Sequence, residues 1–242
     1  MPEGASHVGI YAAGFRLLDA ANMLAFVFSP LLIPMYARLT KDTDGIRHLI
    51  RTSSGLMIMM TSGIAMAGYW WAEEIMHLLY PDAQEVWILT FRLLILCHIP
   101  IGLMYIFSSY LTAMLQMKQQ NLLFLISVII NVGINIYMIP RMGTIGAAAT
   151  ALLTQSLTTA GLIYLGHKHM KKGIEISRII RVFAFFIITA GGGYGLSLLT
   201  IHWTYEVTIF LTLTLIAGSV LNLLNMQSLR KIFWERSQLK NS

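Results

Sequence analysis

The sequence predicts an all-α integral membrane protein of about seven transmembrane helices, with its N-terminus outside and its C-terminus in the cytoplasm. Three observations carry this. Hydrophobic residues make up 56% of the 242, and charged residues only 12%, where a soluble domain is about a quarter charged. Apolar stretches long enough to cross a bilayer, about 20 residues each, recur along the chain. The lysines and arginines between those stretches fall almost entirely on one side.

The stretches run at roughly 8–37, 50–72, 86–115, 121–140, 143–166, 179–200 and 206–225. The first and third are long, with kinks expected at Pro30, Pro34 and Pro100. With the N-terminus outside, the inside loops hold Arg38, Lys41, Arg47 and Arg51, then Lys118, then Lys168, Lys171, Lys172, Arg178 and Arg181. The tail adds Arg230, Lys231, Arg236 and Lys240, while the outside loops hold only Arg141. That asymmetry sets orientation. Outside lie Glu3, Glu73, Glu74, Asp82, Glu85 and Glu206. The net charge of +6 is therefore topological, and no nucleic-acid partner is needed to explain it; part of it suits anionic lipid. Trp70, Trp71, Trp87 and Trp203 fall at expected outer interfaces and Trp234 at the inner one, as in aromatic belts.

Residues 73–85 are too charged to span, and Ile75, Met76, Leu78 and Leu79 suit a short interfacial helix ended by Pro81. The polar linker Gly166–Ser177 separates five helices from two. The expected organisation is a five-helix unit over 1–166, a basic cytoplasmic linker over 167–178, and two further helices with a basic tail over 179–242.

Arg16, Asp19 and Asn22 share one face of the first helix at i, i+3 and i+6. An ionisable group inside a span is costly and marks a candidate site. Two readings stand: these side chains line a cavity, or Arg16 and Asp19 merely neutralise each other, as i, i+3 spacing allows. A guanidinium suits phosphate through its planar donor fork. Counted from Val8, Arg16 lies about 12 Å along the helix, in the outer half of the membrane. Arg92 either snorkels to outer headgroups or supplies a second cavity cation. Ser127, Asn131 and Asn135 recur every four residues on one helix, and Gln155, Thr158 and Thr159 mark the next. Such groups serve as interhelical glue or as polar cavity lining. Gly191 and Gly195 form a GxxxG pair expected to pack closely on a neighbour.

Nothing points to an enzyme, a metal or a cofactor. His167 and His169 lack acid or cysteine partners nearby. Cys97 and His98 are adjacent on a helix and cannot face each other. HExxH, P-loop and GxSxG motifs are absent from the sequence. The single cysteine excludes an intrachain disulfide.

Two stretches, VGIYAAGFRLLDAANMLAFVFSPLLIPMYARL and YLTAMLQMKQQNLLFLISVIINVGINIYMIPRMGTIGAAATALLTQ, carry a resemblance. Val8–Tyr11, Pro34–Arg38, Leu115–Gln116, Asn131–Asn135, Ile139–Pro140 and Gly146–Ala149 resemble, in order and interval, the C-terminal part of the polysaccharide-export (O-antigen flippase) branch. That branch belongs to the multidrug/oligosaccharidyl-lipid/polysaccharide (MOP) superfamily. The resemblance implies alternating-access transport of an undecaprenyl-pyrophosphate-linked oligosaccharide across a bacterial inner membrane. It implies a cationic cavity between two helical lobes. In the related lipid II flippase branch an arginine shortly after the tyrosine lines that cavity, and Arg16 stands at the matching place. Arg16, with Arg92, would hold pyrophosphate, and Asp19, Asn22, Asn131, Asn135 and Gln155 would line the cavity. Members have twelve to fourteen helices, so the expectation is a partial second lobe plus two appended helices. The partners would be the lipid-linked oligosaccharide, the bilayer, and a missing N-terminal lobe or second chain. The alternatives are a MATE-like drug/cation antiporter, in which Asp19 would be the proton or sodium site, and an inactive truncation product of a flippase.

Overall fold

Proline decides where the long helices break. The computed structural model describes residues 2–170, 176–199 and 201–223, and every regular element among them is an α-helix. The first run splits into α1 (Pro2–Phe26) and α2 (Phe28–Arg38). The third expected stretch splits into α5 (Glu85–Leu96) and α6 (His98–Ala113). A proline has no N–H for the carbonyl four residues earlier, and its ring collides with that carbonyl. For Pro30 that residue is Phe26, and for Pro100 it is Leu96; both are the last residues of their helices. Pro34 lies inside α2 without ending it.

Between these runs stands α3 (Thr43–Trp70). Asp42 caps it, its Oδ1 accepting from the Gly45 amide at 2.9 Å. The short α4 (Ala72–Leu79) follows, with Glu73 and Glu74 in its first turn, and it ends before Pro81. The expected short helix is thus present, starting slightly earlier.

The fourth and fifth stretches form one element, α7 (Met117–Met170), interrupted at Gly143, whose φ of 56° and ψ of −132° are non-helical. Fifty-four residues of straight helix would extend about 80 Å. Instead the chain folds back. Asn131 Nδ2 donates to Thr154 Oγ1 at 2.9 Å, and Thr158 Oγ1 to Ser127 Oγ at 2.7 Å. Gly161 faces Leu123. As one partner's number rises the other's falls, so the arms are antiparallel and Gly143 is the turn. Glycine is required there because an L side chain rarely adopts that φ.

The last elements are α8 (Ile176–Ser197) and α9 (Trp203–Val220), the latter capped by His202. Side-chain partners fix the remaining directions. Ser29 bonds Ser109 at 2.8 Å and Phe26 meets the Tyr105 ring, so α1–α2 runs parallel to α5–α6. Gly102 packs on Thr61 and Met57, and Gly68 on Ile95, so α3 is antiparallel to them. Thr159 bonds the Pro100 carbonyl and Gly166 packs on Phe107, so the second arm of α7 is parallel to α6. Against α3, α8 is parallel and α9 antiparallel, as Arg178–Ser54, Trp70–Gly193, Gly63–Thr214 and Gly218–Met59 show. The long runs therefore alternate in direction along the chain.

Among the described residues, five stretches are long and apolar enough to cross a membrane: Val8–Arg38, Glu85–Ala113, Met117–Met170, Ser177–Ser197 and Trp203–Val220. Since α7 doubles back, it offers two such passes. The expected span at 50–72 coincides with α3, which is not among the five. Beyond its first turn its Ser, Thr and Gly residues are buried against neighbours on several sides, Ser62 and Ala65 at 0% exposure. A helix wrapped by other helices has no need of a lipid-facing surface.

Two sequence expectations are corrected. Gly191 and Gly195 have nothing within 4 Å of an added Cβ; Gly193 is the close contact, against the Trp70 ring. The approach uses one glycine facing a large aromatic, not a GxxxG seam. Trp71 is 1% exposed and packs on Phe210 in the interior, so it is a core residue and not part of an interfacial belt. Lys171, Lys172, Trp234 and the basic tail Arg230, Lys231, Arg236 and Lys240 lie outside the described residues.

Candidate functional site

The exposed face of α1 holds the first candidate. α1 packs on α5 through Gly14, which meets Leu94 and Phe91, and through Leu18, which joins Leu94, Cys97, Ile101 and Ala148. That contact turns Arg16 and Asp19 outward, and both are exposed. Arg47–Asp44, at 3.3 Å, is the one ion pair among the described residues. Arg16 and Asp19 therefore form no ion pair with each other. Asn22 differs from both. It is half-buried, and its Oδ1 lies 2.8 Å from Nδ1 of the buried His98 on α6. Helical spacing put the three on one arc; packing spends Asn22 on a helix–helix bond and leaves the charged pair outside.

Arg92 is occupied elsewhere. Its Nε donates to the Tyr69 carbonyl at 3.2 Å, and its guanidinium carbon lies 5.8 Å from the Tyr69 ring centre. Tyr69 is in the last turn of α3, where carbonyls lack intrahelical partners and the helix dipole is negative. Arg92 thus caps α3. Among the described residues no bond joins it to Arg16.

The amides of α7 form a ladder. Asn135 Nδ2 donates to Asn131 Oδ1 at 3.0 Å, and Asn131 in turn donates to Thr154. Ser127 and Thr158 continue it. This is interhelical glue within one hairpin, and only the Asn135 Oδ1, buried and unpartnered, is left over. Gln155 is half-buried on the second arm.

Two features were missed from sequence. Glu206 was assigned to an outside loop; it sits in the first turn of α9 at 5% exposure, accepting from Trp71 Nε1 at 2.6 Å. An acid in an outer connection gave no sign that α3 would cover it. The second is a cationic pocket where α3 meets α8, lined by His48, Arg51, Thr52, Arg178, Arg181, Asn222 and Leu223. The loops gave the charges; only the parallel packing of α8 on α3 brings them together. No group of three or more metal-ligating side chains occurs among the described residues, and Cys97 is a buried free thiol.

Comparison with protein families finds one match to report. Residues 23–124 match the family model described as lipid II flippase MurJ. The match runs from the second half of α1 to the start of α7; it contains Arg92 and begins just after Asn22. No curated protein matches the chain. Together with the apolar helices, this similarity identifies a multi-pass membrane protein with a stretch like a lipid-linked substrate flippase.

Proposed function

We propose that this chain is the C-terminal part of a flippase for an undecaprenyl-pyrophosphate-linked oligosaccharide, not an enzyme, resident in a bacterial inner membrane. It crosses the membrane seven times, with α3 as the span that hydropathy does not single out. Its N-terminus is outside and its C-terminus cytoplasmic. A second lobe, from a further segment or another chain, supplies the opposite wall of the cavity, and alternating access moves the substrate.

The observation that carries this reading is Arg16. It is an exposed, unpaired guanidinium on an apolar helix, adjoining a stretch similar to a lipid II flippase. A charge kept in a span without a counter-ion costs several kcal/mol, about 2.5–3.5 on insertion scales, unless a cavity or ligand receives it. Pyrophosphate matches its donor fork. Asp19 lines the same wall. Arg92, Asn22, Asn131 and Asn135 already have protein partners, so their contribution is to hold that wall in shape; Gln155 is left to meet sugar hydroxyls. The antiporter alternative needs an acid free to take up a cation. Asp19 is the exposed acid that would serve, and Arg16, one turn away on the same helix, would repel a cationic substrate there.

The test joins the chain to an N-terminal flippase lobe in cells lacking their own transporter and measures surface polysaccharide. Arg16→Ala is expected to abolish it while expression and thermal stability stay within about 0.5 kcal/mol of the parent. Arg16→Lys, which keeps charge without the fork, is expected to restore part. Undiminished polysaccharide in Arg16→Ala removes Arg16 from the mechanism.

A further inference from the structure

The α1 face that carries Asp19 also carries two exposed aromatic rings. Phe15, Asp19 and Phe26 lie within about 40° of one another around the helix axis, and all three are exposed. Each ring is braced by a second one. Phe15 stacks on Tyr11, the ring centres 5.9 Å apart and the planes 19° apart. Phe26 meets Tyr105 of α6 edge to face, at 5.8 Å and 71°. The Asp19 carboxylate acts electrostatically on the Tyr105 phenol, so the acid stands between the two pairs and in reach of the second.

Hydrocarbon is a poor match for this face. Within the apolar stretch Val8–Arg38, Asp19 lies about 16 Å along the helix from Val8. That is near the middle of a hydrocarbon layer about 30 Å thick, where a carboxylate is costly. Water alone is a poor match too, since Phe15 is 40% and Phe26 56% exposed. The ligand that suits both has apolar faces and hydrogen-bonding edges. A prenyl chain lacks the edges, and inorganic phosphate lacks the faces. A pyranose has both: its C–H faces lie on aromatic rings, and its hydroxyls donate to a carboxylate, which can only accept. The same carboxylate rejects. Once a pyrophosphate has neutralised Arg16, Asp19 is left to repel a second acid on the ligand.

We propose that Asp19 and Phe15 bind the sugar next to the pyrophosphate and select an uncharged, hydroxyl-bearing pyranose over a uronic acid. Phe26 and Tyr105, about 10 Å further along α1, form the platform for the sugar that follows. This rests on the assignment of pyrophosphate to Arg16 and adds the sugar class to it.

The experiment measures thermal stabilisation of the full chain in a neutral detergent by three ligands: farnesyl diphosphate, and the same lipid diphosphate carrying glucose or glucuronic acid. The two sugars differ only in the acid at C6. All three are expected to bind, the glucose conjugate about threefold tighter than the sugar-free lipid and about tenfold tighter than the glucuronic acid conjugate. Asp19→Asn is expected to bring the two conjugates within about twofold of each other, and Phe15→Leu to bring the glucose conjugate down to the sugar-free lipid. Equal binding of the two conjugates to the unmodified chain overturns the selection. Discrimination that persists in Asp19→Asn assigns it to another residue and overturns the role of Asp19. In both cases the Arg16 assignment stands if the sugar-free lipid binds and Arg16→Ala loses it. Absence of binding by every ligand, or full binding in Arg16→Ala, overturns that assignment and this inference with it. The comparison of conjugates uses the unmodified chain, so it decides even where a variant fails to fold.

Discussion

α3 and the first arm of α7 are opposites. α3 carries serines, threonines, glycines and three charges, yet it is the most enclosed helix, with sixteen buried residues. The first arm of α7 is apolar almost all round, and Leu122, Leu125, Val128, Ile129, Val132 and Ile136 are all more than half exposed. In a water-soluble protein the two would change places. Here hydropathy reports contact with lipid, and burial among helices is achieved by small residues and hydrogen bonds instead. Thr61 and Ser53 satisfy their hydroxyls on carbonyls four residues back in α3 itself, so enclosure leaves them without need of water.

The contrast can be broken first at its glycines. A Cβ on Gly102 would stand 2.5 Å from Thr61 Cγ2 and 2.9 Å from Met57, whereas one on Gly133 in the first arm of α7 would meet nothing within 4 Å. Gly102→Leu is expected to destabilise by about 3 kcal/mol or to prevent folding, and Gly133→Leu to change little. Thermal unfolding in detergent compares them, and equal losses would end the distinction between enclosed and lipid-facing helices. A smaller effect is expected where α3 meets α9. Trp71→Phe keeps the ring but removes the donor to Glu206, leaving a buried carboxylate unpaired at a cost of about 1–3 kcal/mol. Adding Glu206→Leu should recover most of that, since the burden is the orphaned acid. The smallest belongs to the α7 ladder. A double-mutant cycle on Asn131→Leu and Thr154→Val should give a coupling of about 0.6 kcal/mol, the usual scale inside membranes. A coupling near zero would mean that apolar packing at Gly161 holds the hairpin.

Much of the fold was legible in the sequence because membrane spans announce themselves by composition. The breaks were legible too, though displaced: the prolines at 30 and 100 act on carbonyls four residues upstream, so the helix ends at Phe26 and Leu96. The hairpin turn was legible as the gap between the stretches at 121–140 and 143–166, and the structure puts it at Gly143. What composition did not reveal is which face of each helix meets which neighbour. Gly191, Gly193 and Gly195 are equivalent as letters, and only the position of Trp70 singles out Gly193. The same limit governed the candidate site. A helical wheel puts Arg16, Asp19 and Asn22 on one arc, but His98 approaches only Asn22. Arg92 was readable as an interfacial arginine, and not as the cap of α3, because its partner is a backbone carbonyl that leaves no mark in sequence.

The turn at Gly143 carries a consequence for how the chain enters the membrane. Just before it Arg141 folds back, its Nη1 donating to the Tyr137 carbonyl and its guanidinium lying 3.6 Å from the Tyr137 ring centre. The turn is so short that Asn131 and Thr154 stand only 23 residues apart in the chain, and Ser127 and Thr158 only 31. The donor of Asn131 therefore finds its acceptor only after the chain has been made through residue 154, and an unmatched amide in hydrocarbon is costly until then.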